Sequence, residues 1–361
     1  MFTTTTFRRQ FVLPLCGALA LGALAPAGGG LTRAHAASTA RSHGTDAAFQ
    51  CAATPLGAAT TFNVFILGDA TQQNADTQGR LAVGGNATLT NYDVGLTLGG
   101  PVGAALVVGG NLTYTNGAVH DGDATYGGTL AQTFVAFPQG GTFRQETPLD
   151  FAAAGSQLRT LSSYYATLPA NGTTTVRNGV ITLTGTDPRL DVFSVSGDAV
   201  AGASGLAIDA PAGATVLVNV SGSAVTLANG GFDNLTGVTS AHVLFNFAQA
   251  TSLTLSNVDV GGSILAPSAA ITFLPSLVTG ALVGASLSSG GQANSGQANT
   301  TPFTGCLPVA GGPPAGGPGA ATPELGSGEL LATGLLPLGL LALYRRRRAR
   351  RGAKRGEPAT A

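Results

Sequence analysis

Val83-Gly84-Gly85-Asn86-Ala87-Thr88-Leu89 returns further along the chain as Val108-Gly109-Gly110-Asn111-Leu112-Thr113-Tyr114, at an offset of 25. Val195-Ser196-Gly197-Asp198-Ala199-Val200 returns as Val220-Ser221-Gly222-Ser223-Ala224-Val225, at the same offset. A third pair, Val260-Gly261-Gly262-Ser263-Ile264-Leu265 and Val283-Gly284-Ala285-Ser286-Leu287, is 23 apart. Degenerate repeats of this period suit the rungs of a β-solenoid, in which no rung buries its apolar face without its neighbours. A Gly-rich β-sandwich whose loops resemble one another by chance is the competing reading; the near-constant period favours the solenoid.

Around these repeats the pattern is period two. Thr61-Phe62-Asn63-Val64-Phe65-Ile66-Leu67, Thr215-Val216-Leu217-Val218-Asn219-Val220 and His242-Val243-Leu244-Phe245-Asn246-Phe247 are short alternating runs bounded by Gly, Asn, Asp and Pro, as strands are. One segment breaks the pattern. Phe151, Ala154, Leu158, Leu161, Tyr165 and Leu168 recur at three- and four-residue steps, which predicts a helix over about 148–168 with one apolar stripe. Thr147 is the expected N-cap, Pro148 the first helical residue and Pro169 the stop. The expected fold is mainly β, a solenoid with this helix along its flank.

Both ends read as targeting segments. Arg8-Arg9 precede an apolar stretch, and Ala34-His35-Ala36 offers small residues for signal-peptidase cleavage, so residues 1–36 are expected to leave as a signal peptide. Thr6-Phe7-Arg8-Arg9-Gln10-Phe11-Val12 also resembles a twin-arginine signal. At the other end, residues 324–361 follow Pro323-Glu324 with a 15-residue apolar run and then Arg345-Arg346-Arg347-Arg348. As helix that run is about 22 Å, short of the ~30 Å of a bilayer core. It resembles a bacterial C-terminal sorting signal, with an ordinary single-pass transmembrane helix as the alternative. Residues 37–50 form a polar lead-in, 51–307 the domain, and 308–323 a Pro/Gly linker.

The formal net charge of zero hides an asymmetry: residues 37–322 hold 14 acidic residues, six arginines and no lysine. An acidic domain argues against nucleic acid as a partner, because phosphate contacts need a basic patch. Once Cys16 leaves with the signal, Cys51 and Cys306 bracket the domain, and an exported chain makes them an expected disulfide. That bridge needs Cα atoms within about 7 Å. It therefore also predicts that the solenoid doubles back, setting its first and last strands on neighbouring rungs.

Enzyme chemistry finds little support. His120 beside Asp121-Gly122-Asp123 lacks the rest of a calcium loop and reads as a solvated turn; Asp187 and Asp191 around Pro188 read the same way. His43 lies in the lead-in and His242 at a strand end. No Gly-x-Ser-x-Gly elbow or phosphate loop occurs, and neither cysteine has the companions of a zinc site. No cofactor or metal is expected. Thr88/Thr90, Thr113/Thr115, Thr182/Thr184 and Ser252/Thr254 invite comparison with ice-binding faces, but along the sequence they are scattered and read as ordinary strand threonines.

Asn63-Val64-Phe65-Ile66-Leu67-Gly68-Asp69, followed by Asp76-Thr77-Gln78-Gly79-Arg80-Leu81-Ala82-Val83-Gly84-Gly85-Asn86, resembles the opening of the bacterial choice-of-anchor A domain. Leu244-Phe245-Asn246-Phe247, Ser252-Leu253-Thr254-Leu255, Gly262-Ser263-Ile264-Leu265-Ala266-Pro267 and Pro302-Phe303-Thr304-Gly305 extend the resemblance over residues 61–305. It implies an adhesive domain shaped like ice-binding β-solenoids, carried on a surface-attachment tail of the sortase or PEP type. The tail departs from both patterns: Pro323-Glu324-Leu325 has Leu in place of the second Pro, and Leu330-Leu331-Ala332-Thr333-Gly334 only loosely resembles a sortase motif. The expected protein is exported, envelope-attached and non-enzymatic, its partners a surface ligand (glycan, matrix protein or other cells) and an attachment enzyme. The alternatives are an ice-binding protein and a polysaccharide-active solenoid enzyme. The latter requires Asp121, Asp123, Asp187, Asp191 and Asp198 to share one groove.

Overall fold

The computed structural model describes residues 50–310 except 101–102, 148 and 300. The chain winds as a series of short strands into a three-sided solenoid, each rung contributing one strand to each of three parallel faces. Face A runs, strand by strand, through Leu190–Ser196, Thr215–Ser221, Val243–Asn246, the first part of Ser263–Phe273 and that of Leu282–Ser288, then Val64–Ile66, Leu81–Val83, Ala104–Val108, Asp123–Tyr126 and Phe143–Gln145. Faces B and C are the two halves of longer, bent strands such as Ala70–Thr77, Ala87–Val94 and Leu112–Val119. At one end of face C the antiparallel hairpin Thr173–Arg177/Val180–Thr184 departs from the parallel pattern.

Alternation explains the interior. Val64, Ile66, Leu81, Val83, Leu106 and Val108 point inward and join one apolar core that runs the length of the prism. Tyr92 and Tyr114 are also fully enclosed there, and burial raises both phenols well above the ordinary tyrosine range. Their hydroxyls do not go unpaired: Tyr92 meets the Thr77 hydroxyl at 2.8 Å, and the Tyr114 hydroxyl donates to the Tyr92 carbonyl at 2.6 Å.

The chain doubles back, as the bridge requires. The strand Val64–Ile66 lies between its successor Leu81–Val83 and the late strand Leu282–Ser288, pairing Val64 with Leu282 and Phe65 with Val283. Ala70 and Thr71 continue the junction on face B, opposite Leu287 and Ser288, and Thr77 does so on face C, opposite Ala298. Cys51 and Cys306 are disulfide-bonded with Cα atoms 4.9 Å apart. A bridge pairs Cys51 with Pro308, and the Ala52 N–H donates to the Leu307 carbonyl at 2.8 Å.

Helix α1 (Phe151–Ala166) connects the two halves. Its N-cap is Asp150, whose carboxylate accepts from the Ala153 N–H at 2.9 Å; the expected cap, Thr147, falls too early in the chain. The C-cap is Thr167, just ahead of Pro169. The predicted stripe is the buried one: Ala154, Leu158, Leu161, Tyr165 and Leu168 form a second core with the outward residues of face A, among them Phe65, Ala82, Leu217, Leu244 and Val283. This is why the face A strands near the helix, such as Val64–Ile66 and Leu81–Val83, are buried on both sides. Polar bonds fix the helix along its length: Asn246 donates to the Ser162 carbonyl at 2.9 Å, Asn219 to the Tyr165 carbonyl at 2.9 Å, and the Tyr165 hydroxyl to the Pro55 carbonyl at 2.8 Å.

Leu161 is 8 % exposed within that second core. Leu161→Asp sets an unpaired carboxylate there and should cost about 3 kcal/mol or more. Thermal denaturation checks this, and an unchanged melting temperature would mean that α1 does not seal face A.

Candidate binding face

Two kinds of corner delimit face B. The Gly-Gly-Asn repeats turn the chain from A to B. Successive glycines stack so closely that a Cβ at Gly109 would collide with the Gly84 carbonyl, and one at Gly127 with that of Gly109. Each asparagine then ties its rung to the next. The Asn86 N–H donates to Asp69 Oδ1 at 2.7 Å, the Asn111 N–H to Asn86 Oδ1 at 2.9 Å, and the Thr129 N–H to Asn111 Oδ1 at 2.8 Å. The motif that marks the repeat in the sequence is a corner joint.

The corner from B to C is an asparagine ladder. Asn74, Asn91 and Asn116 sit at φ 51°, 48° and 54°, the left-handed region that asparagine tolerates better than other non-glycine residues. Asn91 donates to Asn74 Oδ1 at 2.7 Å and Asn116 to Asn91 Oδ1 at 2.5 Å. In the other half Asn257 donates to Asn229 Oδ1 at 3.1 Å.

Between these corners outward hydroxyls of face B stand in register over seven successive strands, giving way to Ala131 on the next. Thr226, Thr254, Thr272, Ser288, Thr71, Thr88 and Thr113 are successive Cα partners on neighbouring strands. Parallel strands lie roughly 4.8 Å apart, so the row runs on the order of 29 Å. A second row, Gln73, Thr90, Thr115 and Thr133, lies beside it. It stops at Gln73, where residues 289–296 loop against the sheet and Ser295 exchanges hydrogen bonds with the Gln73 backbone. Within each row every side chain leaves its strand in the same direction, polar end outward.

The sequence reading of these threonines needs correction. Thr88/Thr90, Thr113/Thr115 and Ser252/Thr254 are not scattered but occupy one face and, in the first two cases, one register. Only Thr182/Thr184 lies elsewhere, on the face C strand Val180–Thr184. Thr71, Thr226, Thr272 and Ser288 escape the sequence pattern because most of them lack a second hydroxyl at the same spacing. A signal was present in the first half: Thr71, Thr88 and Thr113 each stand two residues after the corner Asp69, Asn86 or Asn111.

The remaining candidates disperse. Asp121 caps a loop, accepting from the Gly99 N–H at 3.0 Å, and Asp123 pairs with Arg144 at 2.7 Å. Asp191 and Asp187 hold a turn at the other end of the molecule: Asp191 accepts from the Thr186 and Asp187 N–H groups, and Asp187 from that of Arg189. Asp198 sits in the first turn of the short helix α2 (Gly197–Ala201). The five aspartates share no groove. His120 lies 3.5 Å from Asp93, and His242 ends a short 3-10 turn at the entry to Val243–Asn246, the strand-end place expected of it. Among the described residues, no three His, Cys, Asp or Glu side chains are placed to hold a metal, and no helix is long and apolar enough to cross a membrane. His43, Pro323, Glu324, Arg345, Arg346, Arg347 and Arg348 lie outside the described residues, as do the signal peptide and the tail.

The solenoid thus has one face sealed by a helix and another presenting aligned hydroxyls. Residues 55–295 match the family described as "Putative Ice-binding-like adhesive domain", two thirds of the chain, and the protein belongs to that family. No curated protein matches it. Among solved structures it is similar to an ice-binding protein from an Antarctic biological consortium, with 17 % identity over 67 % of this chain and 86 % of that one and a TM-score of 0.30. It is also similar to an ice-binding protein from the Antarctic ascomycete Antarctomyces psychrotrophicus, with 16 % identity over 70 % and 98 % of the two chains and a TM-score of 0.28.

The asparagine ladder yields a test. Asn91→Ala forces a Cβ residue without a local hydrogen bond into the left-handed region and should cost about 1–2 kcal/mol. Asn91→Gly frees the backbone and should lose less. Urea denaturation of both variants measures the difference, and equal losses would assign the effect to the amide ladder alone.

Proposed function

We propose that this protein is exported and held at the cell envelope, where face B adheres to an ordered, repeating surface without catalysing a reaction. The observation that supports the reading is the continuous row from Thr226 to Thr113. A ligand with its own lattice can meet many of these hydroxyls and methyls at once, each contact weak and the sum large, as in any multivalent contact. A soluble monomeric ligand gains nothing from such regularity. Rigidity helps as well: strands fixed by ladders at both corners have little entropy left to lose on binding. Ice is the first ligand to test, in keeping with the family's description, and crystalline polysaccharide the second.

Thr88→Tyr combined with Thr113→Tyr places two bulky rings on the row without touching the core. Partitioning of the full chain into growing ice, and its retention on crystalline cellulose or chitin, should fall by about tenfold or more in the double variant, equivalent to ~1.4 kcal/mol. Circular dichroism and melting temperature should stay unchanged. Equal binding by native and double-variant proteins would remove face B from the mechanism.

The envelope location rests on Arg8-Arg9 and its apolar stretch at one end and on Pro323-Glu324, the apolar run and Arg345 to Arg348 at the other. Expressed in a bacterial host, the full chain should fractionate with the envelope, and a chain ending at Pro323 should appear in the medium. Identical partitioning of the two would overturn the attachment reading.

A further inference from the structure

Phe134 breaks the asparagine ladder. Thr115 pairs with Thr133 and Gly117 with Val135, so Phe134 holds the place after Asn116 on the next rung. It keeps the ladder's left-handed backbone at φ 54°, where every other non-glycine residue among the described residues is asparagine. A bulky side chain is an outlier in that region. Asn116 passes its amide hydrogen to Asn91, and its own Oδ1 accepts nothing among the described residues. An asparagine at position 134 could donate to it; phenylalanine cannot. Nor does the ring find packing within the chain, being 84 % exposed. Backbone strain, a forgone hydrogen bond and an apolar ring in water are three costs, with no return inside the protein.

The ring stands on the last rung of the first half. Its strand, Leu130–Ala136, pairs with Leu112–Val119, and Phe143–Gln145 pairs with Asp123–Tyr126; no described strand takes the other edge of either. Three faces therefore end together in open backbone edges. The inward side chains share the opening: Leu130, Val135, Phe137 and Phe143 are only partly buried against the core, and the last two meet edge to face with centroids 5.1 Å apart. Solenoids close such ends with a polar cap, and edge strands carry charge, proline or a covering segment as a guard. Leu130-Ala131-Gln132-Thr133-Phe134-Val135-Ala136 has neither charge nor proline. At the opposite end the antiparallel hairpin closes face C, and its outer strand finishes on Arg177.

We propose that this end binds a second copy of the chain, end to end about a two-fold axis, with Leu130–Ala136 of each copy pairing antiparallel and Phe134 packed against the other copy's last rung. An occupant has to meet open edges on three faces around one core, and the same rung of another copy has that outline. A two-fold contact sets the strand against itself. Like charges directly opposite one another would oppose it, and this strand has none. The hairpin end offers no such match, since its outer strand covers face C alone. One rung is a small footprint beside the ~800 Å² per partner of a standard interface. The pairing is therefore reversible in dilute solution and favoured where copies are held close together. It leaves the row from Thr226 to Thr113 uncovered, so this contact and the adhesive face can fail separately.

Sedimentation velocity of the full chain, over a series from micromolar to submillimolar concentration, tests this. The expected result is monomer giving way to dimer, with the dissociation constant raised about tenfold or more by Phe134→Asn and by Gln132→Lys, equivalent to ~1.4 kcal/mol. Phe134→Asn removes the ring and restores the ladder, so it should also melt about 2 °C or more above the native chain. A lower melting temperature would mean that the ring packs within its own chain, and the case for a partner would fall. Gln132 pairs with the core residue Tyr114 but is exposed at the open end. A lysine there reaches water in the monomer and is sealed in only by a partner, which keeps the test sound if the phenylalanine variant folds poorly. The proposal is overturned if the chain stays monomeric throughout, if it grows past dimers, or if either folded variant keeps the native constant. A monomeric chain whose Phe134→Asn variant loses retention on crystalline cellulose or chitin would assign the ring to a surface ligand instead of a second copy.

Discussion

Everything in this molecule depends on one rung accepting the backbone hydrogen bonds of the next. A short strand such as Val64–Ile66 or Leu81–Val83 has three residues, far too few to hold together alone. It becomes stable because a parallel partner lies on each side and because its inward side chains share a core with theirs. The junction is where this requirement is hardest to meet, since a strand from the start of the domain has to wait for a rung made near its end. Pairing of Val64 with Leu282 and Thr77 with Ala298 meets it on faces A and C. The result is one continuous solenoid assembled from both ends of the domain.

Helix α1 and the disulfide make that return possible in different ways. The helix carries the chain from the last strand of the first half back along face A, and its apolar stripe covers side chains that would otherwise form an exposed patch. The Cys51–Cys306 bond closes a loop with a sequence separation of 255. Chain-entropy reasoning gives such a closure roughly 5 kcal/mol at most. Its placement beside the Ala52–Leu307 hydrogen bond means that the two segments flanking the domain are held to each other as well as to the rungs.

How much of this could be read in the sequence follows from what each feature needs locally. The Gly-Gly-Asn corner needs two residues without a Cβ and one short amide, so it repeats visibly. The α1 stripe needs only its own periodicity, and it was legible to the residue. Its cap was not, because Thr147 and Asp150 are both good capping residues and only the packing against face A selects between them. The hydroxyl row was misread for a different reason. Rung length varies: the offset is 17 from Thr71 to Thr88, 25 from Thr88 to Thr113, 28 from Thr226 to Thr254 and 16 from Thr272 to Ser288. Loops of unequal length absorb these differences while the strands stay in register, so a fixed period cannot reveal the alignment.

Under the adhesive reading proposed above, the distribution of charge favours face B over the other faces as the contact surface. Face A is covered by α1. Face C carries carboxylates on its outer side: Asp76 and Asp93 stand directly opposite each other on neighbouring strands, and Asp209, Asp233 and Asp259 are exposed on the same face. Partial burial, with the Asp93 charge beside it, raises the Asp76 pKa above the usual carboxylate value. Laying this face against any dense surface would remove more water from these charges, at a cost per group far above that of a hydroxyl. The outward row of face B holds no charge at all. Hydroxyls can exchange water for ligand at little cost, and their methyl groups gain from contact. Placing the acids on C and the threonines on B therefore gives the solenoid one face suited to staying in water and one suited to leaving it.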